Sequence, residues 1–182
     1  MGWDLALLET IDAHRSGWAT AVARGLMDAG QPASTYVAAG VVALVFAVVF
    51  RAWRAVGAAL LATVVATALA EYGKEFIGRP RPPAELALVP TDGFAMPSSI
   101  AALTAGAAVP LILYGLARGD LTGRLVVVVL TAGTLLVGAA MVYLGAHWVS
   151  DVLAGWALGA VLGVACFLLL HLGARDPRLA AG

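Results

Sequence analysis

Five long apolar stretches make up most of this chain, and they constrain its fold more than any other feature. They span residues 34–50, 54–72, 97–117, 124–146 and 148–172. A helix needs about 20 apolar residues to cross a hydrocarbon core of ~30 Å, and it satisfies its own backbone polar groups in lipid. The sequence therefore predicts an all-α fold, a polytopic membrane helix bundle with about five transmembrane helices.

The composition also favours a membrane protein over a soluble one. Hydrophobic residues make up 62% of the chain and charged residues 12%, whereas a soluble domain is roughly 45–50% apolar and about 25% charged. The formal net charge is zero, which argues against the clustered basic surface of a nucleic-acid-binding protein. We expect residues 1–182 to form a single membrane-embedded domain. Its predicted partner is the lipid bilayer, with no nucleic acid and no protein partner assigned.

Two shorter amphipathic stretches precede the first long apolar one. In each, apolar residues recur at helical spacing, starting from Trp3 in the first and from Trp18 in the second, while acids such as Asp4 fall mostly on other faces. Tryptophan is enriched where a membrane meets water. We therefore expect interfacial helices in residues 1–30, followed by the transmembrane bundle in residues 34–172.

A histidine and an aspartate, His147 and Asp151, stand four residues apart near the start of the last apolar stretch. On a helix this spacing puts both side chains on one face. The carboxylate can orient the imidazole through one ring nitrogen and leave the other lone pair free to attack an electrophile. Counting on by fours gives Gly155, Gly159 and Gly163, a close-packing face that turns the pair inward. The alternative is a capping aspartate beside a packed histidine.

Residues 73–96 contain four prolines and cannot form a continuous helix. This proline-rich segment carries Lys74, Arg79 and Arg81. Together they supply a point charge and two planar guanidinium groups, which suit an anionic oxygen cluster such as phosphate. The alternative is a stiff basic loop that touches anionic lipid head groups.

Pro97, Ser98 and Ser99 follow at the start of the third apolar stretch. Pro97 suits the first position of a helix. The free backbone N–H groups at a helix start, with the hydroxyls of Ser98 and Ser99, would make an anion-binding site. By itself, Pro-Ser-Ser is typical of a helix start and nothing more.

Two spans separate the proline-rich segment from His147, so both should emerge on the same membrane face and can meet. The opposite face holds six arginines and this face five basic residues, three of them in the proline-rich segment. The positive-inside rule then places the site outside the cytoplasm. We expect a multi-pass protein of the cell (plasma) membrane.

These motifs together resemble those of the type 2 phosphatidic acid phosphatase family, whose pocket is shared with the vanadium haloperoxidases. The family has a lysine, six residues, then Arg-Pro. It then has Pro-Ser-(Gly or Ser)-His, and finally Ser-Arg, five residues, a histidine, three residues and an aspartate. Order, spacing and spans agree over about residues 30–172. The matching positions are Lys74, Arg81, Pro82, Pro97, Ser98, Ser99, His147 and Asp151.

The resemblance implies phosphoryl transfer through a phosphohistidine, commonly on lipid phosphates or prenyl diphosphates. It implies that His147 is the nucleophile and that Asp151 orients it. The implied phosphate-binding groups are the side chains of Lys74, Arg81 and Ser98 and the backbone N–H of Ser99. We expect neither a metal nor a cofactor.

The sequence departs from the family at two catalytic positions. Ile100 replaces the histidine that protonates the leaving group, and Met141 replaces a phosphate-binding arginine. General acid catalysis typically contributes ~10²–10⁴-fold to a rate, and an arginine lost from a developing phosphoryl charge should cost more again. Arg79 lies outside the motif positions and is a candidate replacement for the missing arginine.

Two hypotheses follow from these departures. In the first, the protein binds a lipid phosphate or prenyl diphosphate head group but hydrolyses it weakly or not at all. In the second, it is an active phosphatase that works through His147 on a leaving group that needs little acid help. A prenyl diphosphate fits the second hypothesis because its leaving group is itself a phosphate. We favour the first.

Overall fold

The computed structural model describes residues 2–172, which fold into helices joined by short loops and by the proline-rich segment. The helices are α1 Gly2–Ala13, α2 Gly17–Ala29, α3 Ala33–Val49, α4 Trp53–Ile77, α5 Ser99–Arg118, α6 Leu121–Tyr143 and α7 Val149–Leu172. One 3₁₀ turn, Ala84–Leu86, lies inside the proline-rich segment. The predicted all-α fold is confirmed, because residues 2–172 contain no strand.

The helices α4 to α7 are each long and apolar enough to cross a membrane. α3 occupies the first predicted span but has only 17 residues, and it is bent by 74° against α2. The bend falls at Gly30-Gln31-Pro32, because proline disfavours a helical conformation of the residue before it. By length and composition, the described part of the chain therefore has four candidate spans, or five if α2 and α3 together count as one.

α5 lies in the middle of the bundle and packs against α4, α6 and α7. Its contact with α7 runs along the predicted glycine face. A Cβ atom on Gly155 would lie 2.4 Å from the carbonyl oxygen of Ser98, and one on Gly159 would lie 2.3 Å from that of Ala102. The two helices thus touch through their backbones, which only glycine allows. The prediction that this face turns inward is confirmed.

α5 begins two residues later than the sequence predicts. Ser98 precedes the helix, and its Oγ accepts a hydrogen bond from the N–H of Ala101 at 3.3 Å. This is the usual role of a serine at a helix N-cap. Pro97 therefore lies before the cap, and the prediction that it occupies the first helical position is wrong.

The two predicted helices before the bundle are present as α1 and α2. They lie against the end of the bundle that holds the proline-rich segment. α1 contacts the turn Ala84–Leu86, and α2 packs along α6. Trp3 and Trp18 are 55% and 76% exposed, as expected of residues that contact a membrane interface. On its other side α1 buries Asp4 and Leu8.

Candidate active site

The proline-rich segment begins where α4 ends. The sequence predicts an end of this span at residue 72, but α4 continues to Ile77, and Gly78 with a φ of 63° turns the chain out of the helix. Lys74 consequently lies in the last turn of α4. Arg79 and Arg81 follow directly after the turn, in a stretch without regular secondary structure.

The proline-rich segment meets the loop between α6 and α7, as the parity of the spans predicts. Nη1 of Arg81 lies 2.8 Å from Nε2 of His147 and donates to the carbonyl oxygen of Ala146 at 2.8 Å. The indole N–H of Trp148 donates to the carbonyl oxygen of Pro80 at 3.0 Å. Residues 66 apart in the chain, Arg81 and His147, thus come into direct contact.

Gly145 allows this close approach. Its φ is 71°, and a Cβ atom there would lie 2.3 Å from the carbonyl oxygen of Leu86. A side chain at this position would therefore be strained and would also collide with the opposite backbone. Next to it, the N–H of Leu88 donates to the carbonyl oxygen of Leu144 at 2.8 Å. The glycine at position 145 thus has a direct structural cause.

The protonation of His147 follows from its contact with Arg81. A guanidinium group can only donate hydrogen bonds, so Nε2 of His147 accepts, and the ring proton is on Nδ1. Nδ1 lies 3.5 Å from Oδ2 of Asp151, within ion-pair range but too far for a hydrogen bond of good geometry. His147 is 4% exposed. Burial lowers the pKa of His147 below its usual value, and this outweighs the opposing effect of Asp151.

Asp151 is fully buried and bonded on both oxygens. Oδ2 accepts from the N–H of Trp148 at 2.9 Å, and Oδ1 accepts from Nη1 of Arg79 at 2.6 Å. Because α7 starts at Val149, Asp151 closes the first turn by bonding back to the residue before the helix. Asp151 therefore does cap the helix, as the alternative interpretation predicts. The same carboxylate also faces His147 and binds an arginine.

Asp4 is the site residue that the sequence analysis missed. It is 3% exposed, and Oδ2 accepts from Nη2 of Arg79 at 2.8 Å and from the hydroxyl of Ser150 at 2.6 Å. Burial alone would raise the pKa of Asp4, but these bonds from Ser150 and Arg79 hold it below its usual value. Asp4 has no fixed spacing from the motifs in the sequence. The sequence shows it only as one acidic residue in a predicted helix that has an apolar face.

The three basic residues of the proline-rich segment differ in how they are paired. Arg79 bonds to two carboxylates, and Nζ of Lys74 lies 3.0 Å from Oε1 of Glu71 and 2.9 Å from the hydroxyl of Ser99. Among the residues that the structure describes, Arg81 alone of the three has no carboxylate within ion-pair distance. Arg81 also borders an open cavity of about 530 Å³, lined otherwise by residues of the range 82–91.

The two altered positions lie on α5 and α6. Met141 is fully buried, and its sulfur accepts from the hydroxyl of Ser98 at 3.6 Å. Ile100 is 39% exposed in the first turn of α5. The Ser98 hydroxyl is thus occupied by the helix cap and by Met141, whereas helix geometry leaves the N–H groups of Ser99 and Ile100 without a partner inside α5.

The structure therefore brings together Lys74, Arg81, Ser98, Ser99, His147 and Asp151, with Arg79 behind Asp151. The arrangement offers an imidazole, a guanidinium group and a helix N-terminus to one anion. Within residues 2–172, no three side chains of metal-binding type lie close enough to hold a metal ion. The catalytic roles of His147 and Asp151 stay predictions, as do the phosphate contacts of Lys74, Arg79, Arg81, Ser98 and Ser99.

The sequence and the fold are similar to those of known proteins. The sequence model of the PAP2 superfamily matches residues 51–173. A solved structure, described as the first transmembrane PAP2 type phosphatidylglycerolphosphate phosphatase from Bacillus subtilis, matches with a TM-score of 0.79 and 26% sequence identity. The match covers 96% of this chain and 87% of that one. No curated protein matches the chain.

Proposed function

The chain belongs to the PAP2 superfamily, and from that membership we propose that it binds the phosphate of a membrane lipid phosphate or prenyl diphosphate beside His147, with weak or no hydrolysis. The structure describes a multi-pass membrane protein, and the family is that of membrane lipid phosphate phosphatases. In this proposal residues 1–182 form one functional domain.

The burial of Met141 is the observation that supports the proposal of weak hydrolysis. Its side chain is fully buried and bonded to the Ser98 hydroxyl, so the position of the family's arginine is filled by an apolar group. Arg79, the candidate replacement, is bonded to Asp4 and Asp151. Releasing it would leave two buried carboxylates without their positive counter-charge, which costs several kcal/mol. We therefore assign Arg79 to the support of Asp151 and not to direct phosphate contact.

Arg81 supports the proposal of binding. It borders an open cavity and makes no ion pair among the described residues, so an arriving phosphate finds a guanidinium group that no carboxylate already binds. Lys74 and the N–H groups at the start of α5 add further donors. Hydrogen bonds to a charged group contribute about 1.5–3 kcal/mol each.

A lipid is the substrate class that fits the surroundings. A second cavity, of about 590 Å³, lies between α2, α6 and α7 and is lined almost entirely by apolar side chains, including Val149 and Val152 of the first turn of α7. Hydrocarbon chains suit such a lining, whereas a sugar or nucleotide needs polar partners. The phosphatidylglycerolphosphate named for the similar Bacillus subtilis structure is a lipid phosphate of this class.

We place the site outside the cytoplasm, in the plasma membrane, on the strength of the arginine distribution. Ala84 is exposed in the proline-rich segment, and the native Cys166 is buried. An Ala84→Cys variant should therefore react with an impermeant thiol reagent in intact cells. Ala117→Cys, at the other end of α5, is the matched control and should react only after lysis. The reverse pattern would invert the topology.

A second function, phosphatase activity through a phosphohistidine, is favoured by the retained nucleophile. His147 is buried and neutral, with Asp151 beside Nδ1. Once phosphate draws Arg81 away, Nε2 can form a bond to phosphorus while the bond to the leaving oxygen breaks and that oxygen keeps the electron pair. Water then attacks the phosphohistidine and releases phosphate. A diphosphate substrate needs little acid help in the first step.

One experiment separates the two functions. Purified protein in detergent is offered phosphatidate and farnesyl diphosphate, and both binding and phosphate release are measured for the wild type and for His147→Ala. We expect saturable binding of both lipids and slow release that His147→Ala leaves unchanged. Brisk release of phosphate from the diphosphate that His147→Ala abolishes would overturn the first function in favour of the second. Absence of lipid binding would overturn both.

A further inference from the structure

We propose that Asp4 is a positioning residue of the His147 site, so that α1 completes the site by docking onto it. The inference rests on the proposed function, because it concerns the same phosphate-binding site. Its basis is a buried contact between distant parts of the chain: Asp4 lies 146 residues from Ser150 and 75 from Arg79, and it bonds to both.

Arg79 is shared between two buried carboxylates. Its Nη1 donates to Asp151 at 2.6 Å and its Nη2 to Asp4 at 2.8 Å, and its side chain is 10% exposed. Two negative charges around one positive charge leave Asp151 enough negative character to attract the Nδ1 proton of His147. Without the charge of Asp4, Arg79 would pair with Asp151 alone. Its positive charge would then be offset by one carboxylate in place of two, so its effect on His147 would grow, because charges in a low-dielectric interior are weakly screened.

Asp4 also fixes the start of α7. Ser150 donates to it twice, through the backbone N–H at 3.1 Å and through the hydroxyl at 2.6 Å. Ser150 directly precedes Asp151 in the first turn of α7. A shift of Asp4 therefore changes both the charge beside Asp151 and the position of the turn that carries it.

Other residues in and just after α1 contact the proline-rich segment and the loop that carries His147. Leu8 is 2% exposed and packs with Ala95 and Trp148. Just past the helix, Arg15 donates to the carbonyl oxygen of Leu86 at 2.7 Å and to that of Tyr143 at 3.1 Å. α1 thus contacts the proline-rich segment and the loop of His147 through Asp4 and Leu8, which a helix that only rested on the membrane surface would not do.

The test reads the titration of His147 by NMR in full-length protein carrying labelled histidine. The chain has three histidines, so comparison with His147→Gln assigns the signal. The charged groups that act directly on His147 are Arg81, Asp151 and Lys74, and Arg79 with Asp4 lies behind Asp151. In Asp4→Asn we expect the midpoint of His147 to fall, because an uncompensated Arg79 disfavours the imidazolium. In Asp4→Asn/Arg79→Gln, which removes both charges, the midpoint should return toward the wild-type value.

Glu9→Gln is the matched control, since Glu9 is an exposed acid on the same helix, and it should leave the midpoint unchanged. A purely structural anchor would lower the melting temperature in Asp4→Asn without moving the midpoint of His147, and this result would overturn the proposal. If Asp4→Asn fails to fold, Asp4→Ser removes the same charge with a smaller polar side chain and should also lower the midpoint. No shift in folded Asp4→Ser would then overturn the proposal.

Inorganic phosphate separates this proposal from the proposed function. Added to the wild type, it should raise the midpoint of His147, because a bound anion stabilises the imidazolium. If phosphate has no effect while Asp4→Asn still shifts the midpoint, phosphate binding fails and the positioning role stands. The opposite outcome is also distinguishable. If the wild type and Asp4→Asn have the same His147 midpoint without phosphate, and phosphate raises both equally, phosphate binding stands and only the role of Asp4 fails.

Discussion

The nucleophile side of the site, formed by His147, Asp151 and Arg81, differs in construction from the altered side, formed by Ile100 and Met141. On the nucleophile side, another element of the chain bonds each polar group: Arg81 contacts His147, and Arg79 holds Asp151. On the altered side, Met141 is buried and apolar and Ile100 is partly exposed. Anion binding needs only fixed charges and N–H groups, whereas cleavage also needs groups that act in the transition state. Such a site can therefore lose catalysis while the geometry for binding remains.

The largest expected effect comes from restoring the altered side. Ile100→His with Met141→Arg should supply the acid and the second guanidinium group, and phosphatidate hydrolysis should rise by about 10²–10⁴-fold from the histidine alone. Diphosphate hydrolysis should rise less, because its leaving group needs less protonation. The measurement is phosphate release by purified variants.

Two controls accompany this double variant. Ile100→Gln with Met141→Arg adds polarity without an acid of suitable pKa, and His147→Ala in the double variant should abolish the gain. Because Met141 is fully buried, folding of the double variant is checked by melting temperature first. A well-folded double variant that stays inert on both lipids would show that the altered side has diverged beyond these two positions.

A smaller effect is expected on the nucleophile side from Arg81→Gln. Loss of a hydrogen bond to a charged group costs about 1.5–3 kcal/mol, so the affinity for phosphatidate should fall roughly 10- to 100-fold. Arg124→Gln is the control, because Arg124 is an exposed arginine at the opposite end of the bundle. Equal affinities of both variants would place the phosphate away from Arg81.

The contact between α5 and α7 joins the two sides, and its test should show an effect on stability alone. Gly159→Ala puts a Cβ atom 2.3 Å from the carbonyl oxygen of Ala102 and should destabilise by roughly 1–3 kcal/mol, as overpacking does. Gly133→Ala, in α6 with nothing within 4 Å of its Cβ position, should be neutral or stabilising by up to ~1 kcal/mol. Thermal unfolding in detergent measures both. If both variants melt alike, the backbone contact does not hold the sides together.

The smallest effect is the pH dependence of stability from His147. Burial lowers the pKa of His147 in the folded state below its usual 6.5, so the unfolded chain binds a proton more readily. The stability that the neutral imidazole contributes is complete above about pH 6.5 and is lost as the pH falls through the folded pKa. Relative to His147→Gln, the wild type should therefore melt lower at pH 5.5 than at pH 7.5. A constant difference between the two proteins would mean that His147 is not buried in its neutral form.

The sequence predicts the fold well because the bilayer leaves few solutions for long apolar stretches. It also predicts that the proline-rich segment can meet His147. Two spans separate them, and an even number of spans returns the chain to the same membrane face. The glycine face from Gly155 onward is predictable for a similar reason: in lipid, close packing of small residues replaces the hydrophobic effect between helices.

What the sequence does not predict are contacts that depend on three-dimensional approach. Asp4 becomes part of the site only because α1 packs across the proline-rich segment, and no periodicity encodes that packing. Arg79 is predicted as a phosphate ligand, yet in the structure two carboxylates hold it. The start of α5 moves from Pro97 to Ser99 because a side-chain cap, not the proline, begins the helix.

The sharing of Arg79 also has a consequence for synthesis of the chain. Asp151 is made 72 residues after Arg79, an interval of about 4–14 s at roughly 5–20 residues per second. During that interval Arg79 has no Asp151 to pair with, but Asp4 has already left the ribosome. The aspartate of the first helix can therefore serve the nascent protein as a temporary counter-ion at the membrane, and the second carboxylate arrives when the last span inserts.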